Sequence, residues 1–90
     1  MKLREALNII SADRYIQINV GYGTSDRADC NMEFFQIDVD ERERFIRNRA
    51  KYLDAEVICI DYTIEKDMVE RYGVDGASQM EIYINYKRGE

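Results

Sequence analysis

The chain has ninety residues, 46% of them hydrophobic and 34% charged, which is the composition of one globular domain with a modest core and excludes a disordered or multidomain chain. Its net charge is −5, it contains no histidine, and its two cysteines are too few for a disulfide scaffold. No apolar run approaches the roughly 18–20 residues of a membrane span and no early stretch resembles a signal peptide, so a cytoplasmic protein without membrane association is expected.

Residues 2–10 form a short helix by spacing: Leu3, Ala6, Leu7 and Ile10 fall on one stripe. Residues 14–20 alternate as a strand, with Ile16, Ile18 and Val20 on a covered face and Tyr15, Gln17 and Asn19 on the other. Residues 21–31 are a long hairpin loop rich in Gly, Ser, Asp and Asn. Its G-x-G spacing lacks the third glycine and the following helix of a dinucleotide fingerprint. A second strand over 32–39 turns Phe35, Ile37 and Val39 inward and Phe34, Gln36 and Asp38 outward.

Asp40 and Glu43 have the spacing of a capping box and open a second helix over 41–53, with Phe45, Ile46, Ala50 and Leu53 inward. Its bases, Arg42, Arg44, Arg47, Arg49 and Lys51, read as a solvated face balanced by nearby acids. Residues 56–62 are the most apolar stretch. Val57 and Cys59 point to one face and Ile58, Ile60 and Tyr62 to the other, so a central strand is expected, with Ile60 in the core. Residues 65–72 are read as a helical segment ending at Gly73, with a long hairpin extension as the alternative; Asp75-Gly76 marks a turn, and 79–87 is the last strand, with Met80, Ile82, Ile84 and Tyr86 inward.

The order α-β-β-α-β-(α)-β predicts an α+β fold spanning residues 1–90 as one domain. A single sheet of four mainly antiparallel strands, two β-hairpins joined by a helix, carries its helices on one face. Alternation then gathers Tyr15, Gln17, Phe34, Gln36 and Tyr83 on the opposite face, an aromatic and amide patch unusual for plain solvent, which is either a contact surface or covered by the 21–31 loop or the 65–72 segment folding over it.

The chemistry of an enzyme is missing. Without histidine, neither Cys30 nor the loop serines Ser11, Ser25 and Ser78 have an activating partner, and no phosphate-cradling loop is present. Asp61 and Glu81 face each other across adjacent strands in this reading, but pairs arise by chance at this acid density, and no catalytic residue is assigned. Asp26, Asp29 and Asn31 lack the spacing of a calcium loop, so no metal site and no cofactor is expected.

Charge is segregated. Residues 1–53 hold nine acids and nine bases, whereas residues 54–90 hold nine acids and four bases, so the whole excess lies in the second part. Glu65, Asp67, Glu70 and Asp75 lie together on the last connection. Such a surface repels nucleic acid and attracts basic proteins.

The opening MKLREAL, followed by SADRYIQI at 11–18, and the segment LDAEVICI at 53–60, leading to MEIYI at 80–84, resemble small acidic, mostly uncharacterised accessory proteins of Firmicutes phages and mobile elements. The similarity covers about half the chain. It implies a context in which some members are anti-CRISPR or other anti-defence inhibitors that bind a host protein, and it transfers no functional residue. The expected function is therefore a non-enzymatic interaction protein. Its partner is a host protein with a basic, nucleic-acid-handling surface, and binding uses Tyr15, Gln17, Phe34, Gln36 and Tyr83 together with the acids of the last connection. The alternative is a self-associating module, a homodimer through the open sheet face or an edge strand.

Overall fold

The computed structural model describes residues 1–10, 15–64 and 66–87. Alternating segments form the strands β1 (Ile16–Tyr22), β2 (Glu33–Ile37), β3 (Glu56–Ile64) and β4 (Ser78–Tyr86). Segments of helical period form α1 (Leu3–Ile9), α2 (Arg42–Asn48) and α3 (Lys66–Ala77). The result is the α+β arrangement expected, one four-stranded sheet, in the order β2-β1-β4-β3. β1–β2 and β3–β4 are the two antiparallel pairs read from the sequence. They are joined by a parallel pairing of β1 with β4, from Ile16 opposite Met80 to Tyr22 opposite Tyr86, so the sheet is mixed rather than mainly antiparallel.

One face of the sheet is the core face. Ile16, Ile18 and Val20 of β1 and Ile82 and Ile84 of β4 are buried beneath Leu3, Ala6 and Leu7 of α1 and Phe45, Tyr52 and Leu53 from α2 and the turn after it. Each of the buried Leu, Ile, Val and Phe side chains contributes about 1.5–3 kcal/mol by leaving water. Glu5 steadies the start of α1 by accepting from the Lys2 N–H at 3.0 Å, and the N–H groups of Leu3 and Arg4 donate to the carbonyls of Ala55 and Leu53.

The second helix is shorter than expected. Residues Val39–Glu41 form a 3-10 turn, so Asp40 is not the cap, and Glu41 precedes α2 without a side-chain cap bond. Arg49 (φ −124, ψ 35) ends α2, and Ala50–Tyr52 continue as a further 3-10 turn that drives Tyr52 into the core. Several of the bases are engaged within the fold. Arg42 Nη1 donates to the carbonyls of Ile10 at 2.8 Å and Leu7 at 3.3 Å, Arg49 lies over Phe35, and Lys51 lies over Tyr52 and Tyr86.

β3 is an edge strand and not the centre of the sheet; the strands with neighbours on both sides are β1 and β4. The apolar run at its start has a local cause. An irregularity at Ile58 places Val57 opposite Ile84 and Cys59 opposite Tyr83, adjacent residues of β4, so Val57 joins the core face and Cys59 the open one. Ile60 sits opposite Ile82 yet is 42% exposed, because α1 and α2 cover the sheet over β1 and β4 and leave this edge bare.

The connection 66–77 is helical, as expected, and is split at Gly73 (φ 76, ψ 175), a conformation that only glycine adopts readily. Asp75 and Gly76 continue the helical segment beyond it rather than forming a tight hairpin turn.

A candidate interaction surface on the open sheet face

The face opposite the helices is built by the outward positions of all four strands. Pairing sets Phe34 beside Asn19, Gln36 beside Gln17, Gln17 beside Glu81 and Asn19 beside Tyr83. On β3, Cys59 lies beside Tyr83, Asp61 beside Glu81 and Thr63 beside Gln79. The expected patch residues Gln17, Phe34, Gln36 and Tyr83 therefore share one face, and Tyr15 precedes β1 at the same parity, its carbonyl accepting from the Met80 N–H.

A polar network runs across the middle of this face. Gln79 Nε2 donates to Gln17 Oε1 at 3.2 Å and to Glu81 Oε1 at 3.4 Å, Gln17 Nε2 donates to Asn19 Oδ1 at 3.0 Å, and the Tyr83 hydroxyl donates to Glu81 Oε2 at 2.7 Å. The Glu81 bond, with burial second, pushes the Tyr83 pKa up to about 12. Tyr15 is also raised above the ordinary tyrosine value, by burial first and then by the charges of Asp38 and Glu41.

The loop between β1 and β2 covers one end of the face, so the aromatic patch is only partly open. Arg27, in the 3-10 turn Arg27–Asp29, lies over the Tyr83 ring at 4.9 Å and pairs with Asp61. Thr24 N–H donates to Asn85 Oδ1 at 3.0 Å. Cys30 is buried, its thiol within reach of the Ile84 and Asp26 carbonyls, and burial raises its pKa. Gly21 makes the close approach possible, because a Cβ there would lie 2.6 Å from Thr24 Cγ2 and 2.9 Å from Cys30 Sγ. What stays open is the β2 side, where Phe34 is 65% exposed beside Gln36.

These contacts account for the carboxylates read from the sequence. Asp61 and Glu81 do face each other, as expected, but Asp61 is tied to Arg27 and Glu81 to Tyr83 and Gln79. Asp26 caps the 3-10 turn by accepting from Ala28 N–H, and Asp29 accepts from the Thr24 hydroxyl. On the core side, Glu33 accepts from the hydroxyls of Tyr52 and Tyr22, which hold its carboxyl below the ordinary range.

The acids of the last connection stand apart from the face. Asp67 and Glu70 lie exposed on α3, and neither has an ion-pair partner among the described residues. Glu65 lies outside the described residues, and Asp75 is placed in the backbone of α3 only. Ile60 and Tyr62 share one face of β3, as alternation predicts, but that face is not core: with Ile64 they form an exposed apolar stripe, Tyr62 at 51% and Ile64 at 45% exposure. Their period-two spacing was the available signal, and placing the strand at the centre concealed it.

No helix among the described residues is long and apolar enough to cross a membrane. No protein-family model, curated protein or solved structure matches the chain.

Proposed function

We propose that this chain is a non-enzymatic interaction protein that binds a cytoplasmic host protein with a basic, nucleic-acid-handling surface and thereby inhibits or modulates it. The observation that carries this reading is the state of the acids. Glu33, Asp54, Glu56 and Asp61 are each engaged by a hydroxyl or a cation of the chain itself, whereas among the described residues Asp67 and Glu70 on α3, like Asp40, Glu41 and Glu43 at the start of α2, are exposed without an ion-pair partner. Met68 and Tyr72, exposed on the same helix, would supply the apolar contact that a charged rim alone lacks. The resemblance to accessory proteins of phages and mobile elements supports an inhibitory role. The engaged bases Arg42 and Arg49 weigh against direct nucleic-acid binding.

The test is capture from a host lysate by immobilised wild type and by the Asp67→Asn/Glu70→Gln variant. The reading expects basic proteins retained by wild type, released as salt rises, and lost by the variant. Equal capture by both would overturn it.

Self-association is the second reading. The exposed stripe of β3 favours an edge-strand contact over one through the open face, where Arg27 already covers Tyr83.

A further inference from the structure

We infer that two copies of this chain pair through β3, antiparallel about a two-fold axis at Tyr62, to make one continuous eight-stranded sheet. The inference deepens the self-association reading and does not depend on a basic partner.

Three observations carry it. First, β3 is a nine-residue edge strand. Its start is sealed by the chain itself, since Lys2 bridges Glu56 and the Met1 carbonyl accepts from Val57 N–H at 2.7 Å. Beyond that seal, residues 58–64 hold no lysine and no proline, the usual guards of an exposed edge. Second, the one charge in that length, Asp61, is neutralised from inside the fold by Arg27, so the edge carries little electrostatic protection against its own copy. Third, the side-chain order Ile60-Asp61-Tyr62-Thr63-Ile64 is a palindrome in polarity about Tyr62.

An antiparallel two-fold at Tyr62 sets Ile60 against Ile64 of the second copy and Tyr62 against its own equivalent, all on the core side of the sheet. On the open side it sets Asp61 against Thr63, so that a hydroxyl and not a second carboxylate meets each acid. Apolar pairs and an acid–hydroxyl pair directly opposite are favourable, whereas an acid opposite an acid is not. The isologous contact also closes, because it consumes β3 on both copies and leaves β2 as the outer edge. The open half of the sheet face, on β2, is not consumed.

The experiment uses the purified chain alone, by sedimentation velocity across a concentration series. The expected result is a monomer–dimer equilibrium that responds in opposite directions to two changes at one exposed position. In an Arg27→Ala background, which frees the Asp61 carboxylate from its internal partner, Thr63→Lys places a cation opposite Asp61 of the second copy and tightens the dimer; Thr63→Asp places a carboxylate there and weakens it. Two such pairs form per dimer, so each change should move the dissociation constant by roughly tenfold. In a Cys59→Ser background, Tyr62→Cys should form an intermolecular disulfide on mild oxidation, because the two copies of that position lie directly opposite. Ile64→Cys should not, because its equivalents are four residues apart along the strand, about 13 Å. A monomer at every concentration would overturn the inference. So would a dimer indifferent to both Thr63 changes, or one in which Ile64→Cys cross-links as readily as Tyr62→Cys.

Discussion

Arg27 stacks its guanidinium over the ring of Tyr83, 4.9 Å from the ring centroid, and from there reaches Asp61 on the edge strand. One side chain thus clips the β1–β2 loop to β4 and β3 at once, and it sits where Asp61 and Glu81 would otherwise face each other as like charges.

Removing that clip should have a small and recoverable cost. Arg27→Ala should lower stability by about 0.5–1 kcal/mol, the range of a partly exposed cation–π contact with an ion pair. Asp61→Asn should cost less in the Arg27→Ala background than in wild type. Urea unfolding of the four proteins of this double-mutant cycle measures the coupling; strict additivity would show that the ion pair contributes nothing.

Two isoleucines on adjacent strands should behave differently. Ile82, fully buried on central β4, should cost about 2–5 kcal/mol on truncation to alanine. Ile60, its partner across the pair but on the edge, should cost about 1 kcal/mol. Thermal melts of Ile82→Ala and Ile60→Ala in dilute, monomeric protein check the order. An equal loss would place β3 under cover that the structure does not show.

The loop should lift when its floor is raised. Gly21→Ala introduces a Cβ into contact with Thr24, Cys30 and the Asp29 carbonyl, an overpacking worth about 1–3 kcal/mol. Cys30 should then react with a thiol reagent far faster than in wild type, measured in a Cys59→Ser background. An unchanged rate would mean that the loop accommodates the methyl without leaving the sheet.

The pH dependence has two sides. Glu33 has a lowered folded pKa, by its bonds to Tyr52 and Tyr22. Its contribution is therefore complete above the ordinary glutamate value of 4.5 and is lost as pH falls through the depressed value. Tyr83 is raised to about 12 and Tyr52 is also raised, chiefly by burial and the Glu33 bond. Both tyrosines stabilise the fold in their neutral form below the ordinary value of 10.0, and that contribution is lost as pH rises above it. Melting temperature against pH should fall at both ends. Tyr52→Phe should remove part of the acid limb, and Tyr83→Phe should remove a late-titrating phenolate from the ultraviolet spectrum.

Much of this arrangement was legible from alternation. The inward isoleucines of β1 and β4 and the outward Gln17, Gln36, Phe34 and Tyr83 are where period two puts them, because strands buried on one face leave little freedom of register. Gly73 was equally legible, since a glycine at the end of a helical stripe has few other reasons to be there. Strand order was not. A fully apolar segment and an exposed apolar edge look alike in sequence, and the irregularity at Ile58 breaks the alternation that would put Val57 and Cys59 on one face. The site was half legible for a related reason: the acids and the open face follow from residue type and parity, but the fold-back of residues 21–31 depends on Gly21, Arg27 and Cys30 meeting partners about sixty residues away in some cases, as Thr24 meets Asn85.

The parallel seam between β1 and β4 also bears on how the chain reaches this state. β4 follows the other three strands in the sequence, yet it is inserted between β1 and β3, and its ladder with β1 joins residues as far apart as Ile16 and Met80. When α1 through β3 have been synthesised, both strands of the β1–β2 pair and β3 are present, but the strand that joins them is not. Until β4 emerges, the nascent chain therefore lacks Ile82 and Ile84, the part of the core that lies between β1 and β3. Closure of so non-local a contact is slow compared with hairpin formation.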